Sequence, residues 1–413
     1  MERKYQYGTA ENKAFLAELR TGLIAFGRNF PSPGGSSWHL GNDGTPRKEK
    51  DRMTYVTCRM AHVYSIGAML GYPECEPLVD EALRALNGEL YDAEHGGWYP
   101  GLHADGTPLP DKLCYAHAFV ILAASSAMLI GRPGAKELFD LATATYDRYF
   151  WNEDEGLSAD YWNTAFTECA AYRGLNANMH TVEAFLAAAD VTGEEKYRVR
   201  AGRIIAHVLG WARENDWRLP EHYAADWTPL YDFNSEKKDD PFKPYGATPG
   251  HGLEWSRLIA QWALSAYPGE PEKAAPYLEA AERLFERALE DAWDCDGAPG
   301  IVYTTDWDGS PCVHDRMHWV LMEAIDTAAV LYRLTEKERF AGWYAKLMGY
   351  MDACVVDHAE GSFFHQLDRE NRPIATVWDG KDDLYHAFQM TLIPYLDTPE
   401  LSVAPAVLRA TRK

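Results

Sequence analysis

Glu94-His-Gly-Gly-Trp-Tyr-Pro-Gly-Leu-His-Ala-Asp-Gly106 reads as a small hairpin: aromatic and glycine residues, then an Asp-Gly turn. Segments of the same kind occupy 34–46, 154–162, 218–227, 300–309 and 361–368. They recur at intervals of roughly 60–75 residues, longer than the familiar solenoid periods. One longer gap precedes Gly300.

The stretches between these segments carry helical periodicity and mostly come in pairs. Helices are predicted near 10–27, 52–71, 75–88, 113–130, 134–150, 177–192, 194–213, 251–266, 272–291, 318–335, 337–355 and 383–396. Leu138, Leu141, Ala142 and Tyr146 show the pattern, one apolar stripe on a 3.6-residue period. Breaks such as Gly131-Arg-Pro-Gly134 separate the partners. Twelve helices alternating with six hairpins predict an all-α fold, an (α/α)6 barrel with short β-hairpins in its connections. An open solenoid gives similar local signals, but six turns of fixed length favour closure. No Ser/Pro-rich linker divides the chain, so residues 1–413 are expected to form one catalytic domain. Asp232–Pro241 is the least regular stretch and reads as a long loop leading to His251.

Net charge near −22 argues against nucleic acid and anionic membrane, which need a basic footprint. Seven cysteines without a C-x-x-C pair fit reduced thiols, and the N-terminus shows no apolar signal region. A soluble cytoplasmic protein is expected. The chain is 13% aromatic, which suits a sugar cavity, where ring faces meet C–H surfaces, and suits bulky core packing equally well.

Tyr245-Gly-Ala-Thr-Pro-Gly-His251-Gly-Leu-Glu254-Trp-Ser-Arg257 and Val377-Trp-Asp-Gly-Lys-Asp382-Asp-Leu-Tyr385-His386 each run a Gly-containing turn into an apolar helix. Each places a histidine at the junction, where imidazole can transfer protons near neutral pH. Similar polar residues open the other inner helices: Arg59 and His62, Tyr115 and His117, Asn176 with His180 and Glu183, then Trp319 and Glu323. His180-x-x-Glu183 and His251-x-x-Glu254 set imidazole and carboxylate one helical turn apart. Such pairs ligate metals in di-metal bundles; alternatively the carboxylate orients its histidine or holds a substrate hydroxyl. No H-E-x-x-H or cysteine ligand set accompanies them, which weakens the metal reading. Glycoside hydrolysis by two carboxylates among Glu183, Glu254, Glu323 and Asp382 is a second class, but gives the histidines no role. A non-catalytic carbohydrate-binding module, the third, needs stacking aromatics and no histidine pair.

These motifs, with Arg59-Met-x-His62-Val-Tyr-Ser, Gly96-Gly-Trp-Tyr99 and Asn176-Ala-Asn-Met-His180-Thr-Val-Glu, resemble the N-acylglucosamine 2-epimerase superfamily, most closely its aldose–ketose isomerase branch. The resemblance runs from about Trp38 to Leu396 and implies an (α/α)6 barrel. It implies interconversion of D-mannose and D-fructose through a cis-enediolate, with no metal and no cofactor. His251 and His386 fall at the family's proton-transfer positions, and Arg59 at an arginine near the reacting carbons. Tyr115, Asn176, His180, Glu254, Glu323, Trp319, His365 and Asp382 are expected to contact the sugar, Glu254 also fixing the tautomer of a neighbouring imidazole. His365 and Asp382 align at the C6 end, where a carboxylate repels a sulfonate but accepts a hydrogen bond from a neutral hydroxyl. Asp382 could instead cap the last helix. Sulfoquinovose or D-lyxose isomerisation, or 2-epimerisation of N-acylglucosamine or cellobiose, are the alternatives. The expected partner is a monosaccharide, and a homo-oligomer is compatible.

Overall fold

The computed structural model describes residues 2–412. Six helices form an inner ring: α2 (Thr54–Met69), α4 (Cys114–Leu129), α6 (Leu175–Thr192), α8 (Pro249–Ala266), α10 (His318–Thr335) and α12 (Tyr385–Met390). Each touches the next, and α12 returns to α2, so the ring closes. Outside lie α1 (Ala10–Gly27), α3 (Cys75–Leu86), α5 (Ala135–Tyr149), α7 (Glu195–Glu214), α9 (Pro271–Ala292) and α11 (Glu338–Tyr350).

Side-chain pattern decides which layer a helix joins. In α4 nearly every residue from Cys114 to Ala127 is buried, because the helix is apolar on all faces. By contrast α3 buries Val79, Ala82, Leu83 and Leu86 while Glu76, Glu81 and Arg84 face outward, the single stripe of a surface helix. The twelve predicted helices are all present with small shifts at their ends. The last is shorter than predicted, because Tyr385–Met390 breaks before a 3-10 turn at Ile393–Tyr395 that contains Pro394. A thirteenth, α13 (Val403–Thr411), was not predicted; it packs on α2, α4 and α6.

Six hairpins gather at the N-terminal ends of the inner helices. Extended residues just before an inner helix pair with the following hairpin: Arg52–Met53 with Gly101–Leu102, Lys112–Leu113 with Tyr161–Trp162, Arg173–Gly174 with His222–Tyr223, and Arg316–Met317 with Gln366–Leu367. Ala247 bridges Thr305, and the Lys381 amide donates to the Leu40 carbonyl at 2.9 Å. The first helical N–H groups, which have no intrahelical acceptor, donate to the same hairpins: Thr54 to Pro100, Cys114 to Asp160, Leu175 to Glu221 and His318 to His365. Buried ion pairs add to this tie, Lys112 Nζ to Asp92 Oδ2 at 2.8 Å and Lys381 Nζ to Asp357 Oδ2 at 2.6 Å.

All seven cysteines are free thiols. No helix among the described residues is long and apolar enough to cross a membrane.

Candidate active site

The helix N-termini and hairpins surround a cavity that opens to solvent. Inner helices contribute Arg59, Tyr115, Asn176, His180, His251, Glu254, Trp319 and His386 to its wall. His365, from the last hairpin, and Asp382, just before α12, complete the set expected from the sequence. Glu323 is the exception. It lies fully buried behind His386, with no surface on the cavity, so it is not a sugar contact. The other two histidines noted on inner helices also lie elsewhere. His62 hydrogen-bonds Ser126 at 2.7 Å deeper in the barrel. His117 is a satisfied core imidazole: Nδ1–H donates to the Leu113 carbonyl, and Nε2 accepts from the Trp98 amide.

Local sequence explains how α8 reaches the cavity. At Gly246 φ is +86°, and an added Cβ would lie 2.3 Å from the Thr305 carbonyl. At Gly250 it would lie 2.7 Å from the Trp319 ring, so only glycine admits this approach of α8 to α10. Pro249 occupies the first helical turn, where its missing N–H costs nothing. The result brings His251 against Trp319, ring centres 5.2 Å apart, while His386 lies 5.8 Å from the same indole.

Each of three cavity imidazoles has a carboxylate at Nδ1. Glu323 Oε1 lies 2.8 Å from His386 Nδ1, Glu221 Oε2 3.0 Å from His251 Nδ1, and Glu183 Oε2 3.1 Å from His180 Nδ1. For His386 and His180 this contact is a hydrogen bond, and an Nδ1–H held this way leaves Nε2 as the lone-pair nitrogen; His251 Nδ1 lies beside Glu221 without completing one. Glu254 was expected to hold an imidazole, but it does not; its nearest approach to one is 3.9 Å, from His180. Three residues along α8 it points past His251, whose neighbouring carboxylate comes instead from the hairpin at Glu221.

Burial pushes the Glu323 carboxyl up, but the charge of Arg257 and the His386 hydrogen bond outweigh this and hold it below the usual range. Arg257 Nε donates to Glu323 Oε2 at 3.0 Å. Glu254 goes the other way: burial and then the Glu323 charge raise it well above the carboxylate range. Neither of its oxygens has a hydrogen-bond partner, although the residue is buried. Both effects favour its protonated form.

Arg59 is paired with Asp383 and donates to the Tyr115 hydroxyl at 2.8 Å. Its guanidinium is boxed by the rings of Tyr55, Phe119 and Tyr385. Asp383 Oδ1 also accepts the Tyr385 amide, so it, not Asp382, satisfies the first N–H of α12. Asp382 faces the cavity, with Oδ2 3.2 Å from His39 Nδ1. Beside it His318 and His365 stack, ring centres 3.9 Å apart and nearly parallel. Burial lowers His318 to about 4 and His365 well below the ordinary imidazole value, so both are neutral at pH 7.

Sequence reasoning missed Tyr55, Phe242, Tyr303, His318, Trp378 and Asp383 on the wall, and Glu221 behind it. Asp383 and His318 adjoin residues that were identified; Phe242 comes from the long loop, whose entry into the cavity no local signal announces. Two groups bring ligand-type atoms within 4.8 Å of one another, His180 with Glu183 and Glu254, and Glu254 with Glu323 and His386. Arg257 already neutralises this cluster from Glu323, and lies 3.9 Å from Glu254.

The chain is 42% identical over 405 residues to the D-mannose isomerase of Thermobifida fusca, covering 97% of this chain and 98% of that one. It is 41% identical over 359 residues to the D-mannose isomerase of Pseudomonas cannabina pv. alisalensis, 86% of each. Among solved structures, a D-mannose isomerase superposes with a TM-score of 0.86 at 27% identity, over 94% of this chain and 99% of that one. Cellobiose 2-epimerase from Spirochaeta thermophila shares the fold, with a TM-score of 0.78 at 20% identity over 94% and 98%. Residues 34–390 match the sequence profile of N-acylglucosamine 2-epimerase (GlcNAc 2-epimerase), and with a closed double ring of helices around a histidine-lined cavity the chain belongs to that family of isomerases and epimerases.

Proposed function

We propose that the protein is an aldose–ketose isomerase that interconverts D-mannose and D-fructose by proton transfer from histidine. The observation that carries this reading is the pair His251 and His386, each backed by a carboxylate and both against Trp319 on one cavity.

The chemistry follows from these groups. Ring opening breaks the C1–O5 bond: the C1 hydroxyl gives up its proton as C1=O forms, and O5 takes one. His251 serves this exchange through Nε2. His386 then removes the C2 proton, leaving an enediolate; the O2 proton moves to O1, and His386 returns a proton to C1 as the C2 carbonyl forms. Glu323 steadies the imidazolium between these steps, its own charge secured by Arg257. Arg59 offers fixed positive charge to the enediolate oxygens, and a preformed charge in a confined site needs no reorganisation. Glu254, held neutral, donates a hydrogen bond to a sugar oxygen and cannot repel the enediolate. Asn176, His180 and Tyr115 supply further hydroxyl contacts. Asp382 and the neutral His318–His365 stack form the end that takes an uncharged hydroxymethyl group.

Proton NMR of the purified protein with D-mannose in heavy water and excess chelator tests this reading. Fructose should form and deuterium should enter the product. Glucose as the first product makes the protein a 2-epimerase; loss of turnover in chelator restores the Glu254 metal cluster.

A further inference from the structure

One turn further along the inner helices lies a second, narrow space with room for about one water molecule, closed from the base by α13. Its wall includes Ser125, Glu183, Arg257, Gln261, Gln389 and Ser402. The floor is tied down by Gln261 Nε2 donating to Ser402 Oγ at 3.2 Å and by the Ser402 amide donating to Asp190 Oδ2 at 2.8 Å.

Several polar atoms in this wall have no protein partner. Ser125 Oγ accepts and donates nothing, and the Gln389 amide faces His62 yet completes no hydrogen bond of good geometry. Both residues are at most 1% exposed. A buried amide and hydroxyl left dry are costly, and a polar hollow with several such groups is where internal water is held. An anion is a poor occupant, because Glu183 and Glu323 outweigh Arg257.

We propose that this space is a water chamber that exchanges protons with the sugar site through Glu183. The carboxylate lines the chamber; its Oε2 accepts from His180 Nδ1 at 3.1 Å and its Oε1 from the Tyr385 hydroxyl, while His180 lines the sugar cavity. Burial pushes this carboxyl up, but these contacts and Arg257 hold it below the usual carboxylate range. Resting on the isomerase reading, the step is balanced. A sugar hydroxyl gives its proton to His180 Nε2, Nδ1–H passes its proton to Glu183, and Glu183 releases it to a chamber water. The reverse sequence returns it. Aldose–ketose conversion needs such traffic, since O2 must lose a proton and O1 gain one. Arg257 stays charged and conducts none.

Gln389→Leu, near in volume, and Ser125→Leu, which fills the space, test the chamber; Ser125→Ala replaces the latter if it does not fold. Oxygen-17 relaxation dispersion of the folded proteins counts long-lived internal waters, and mannose kinetics in light and heavy water report proton flow. Fewer long-lived waters in the variants, with kcat down about tenfold, KM unchanged and a larger solvent isotope effect on kcat, is the expected result. An unchanged water count overturns the chamber. Lost waters with unchanged kcat and isotope effect overturn the proton route. Wild-type protein that leaves mannose untouched defeats the isomerase reading alone, because the relaxation count does not depend on turnover.

Discussion

His386 shows how one side chain acquires a role from its surroundings. Its Nδ1 is committed to Glu323, and Arg257 keeps that carboxylate charged, so Nε2 is the nitrogen left for a substrate proton. His386→Ala and His251→Ala are each expected to lower kcat by about 100-fold or more with KM little changed, the signature of groups used in the transition state. Steady-state kinetics on mannose check this, and near-wild-type turnover removes the residue from the mechanism. Asp382 acts differently, by excluding charge. Asp382→Gln should raise the kcat/KM ratio for a C6-sulfonated hexose over mannose; an unmoved ratio means this residue does not meet C6. The position of His386 was legible in the sequence as a Gly turn entering a helix. Its dependence on Glu323 was not, because the two residues are separated by 63 positions and meet only through packing of α10 on α12.

At the scale of elements, the ring of hairpins holds each inner helix by its first turn. Lys112 and Asp92 are both buried, so losing the lysine leaves a carboxylate without its countercharge. Lys112→Met is expected to destabilise the fold by about 3–5 kcal/mol, read as a shift of the urea midpoint, and adding Asp92→Asn should recover most of it. Hairpins also supply a second tier of the site, His39, Glu221, Tyr303 and His365. Of these only His365 was singled out in advance. Helical periodicity marks residues that share a face, whereas a hairpin side chain reaches the cavity by the register of two short strands, which local sequence does not specify.

Across the whole molecule, buried titratable groups set where the fold is most stable. Burial lowers His62, His180 and His318 to about 4 and His117 to about 3, with His365 also well down. The unfolded chain binds these protons near pH 6.5, so stability is lost as pH falls from there toward 4. Glu254, Asp326 and Asp160 oppose this with raised values, Asp160 at about 6, as do Asp190 and Asp315 by smaller shifts, but with His222 also lowered the histidines outnumber them, six to five. Above neutrality the sign reverses. Glu254 and Asp326 stay protonated in the fold and ionise on unfolding, so stability declines as pH rises toward their folded values. Urea midpoints should therefore peak near pH 7 and fall at both pH 5 and pH 9. A midpoint that rises steadily from pH 5 to pH 9 contradicts the neutral burial of Glu254 and Asp326.

Composition, a sixfold recurrence of turn motifs and the helical periodicity between them determined that this chain makes a double ring of helices with polar groups at one end. Each turn motif and each helical stripe is local, written within a dozen or so residues, and only their repetition spans the chain. Only the tertiary structure decided that Glu221 stands behind His251, that Glu323 supports rather than binds, and that Phe242 joins the wall. These depend on ring closure, which brings together residues far apart in the chain at distances no single repeat encodes.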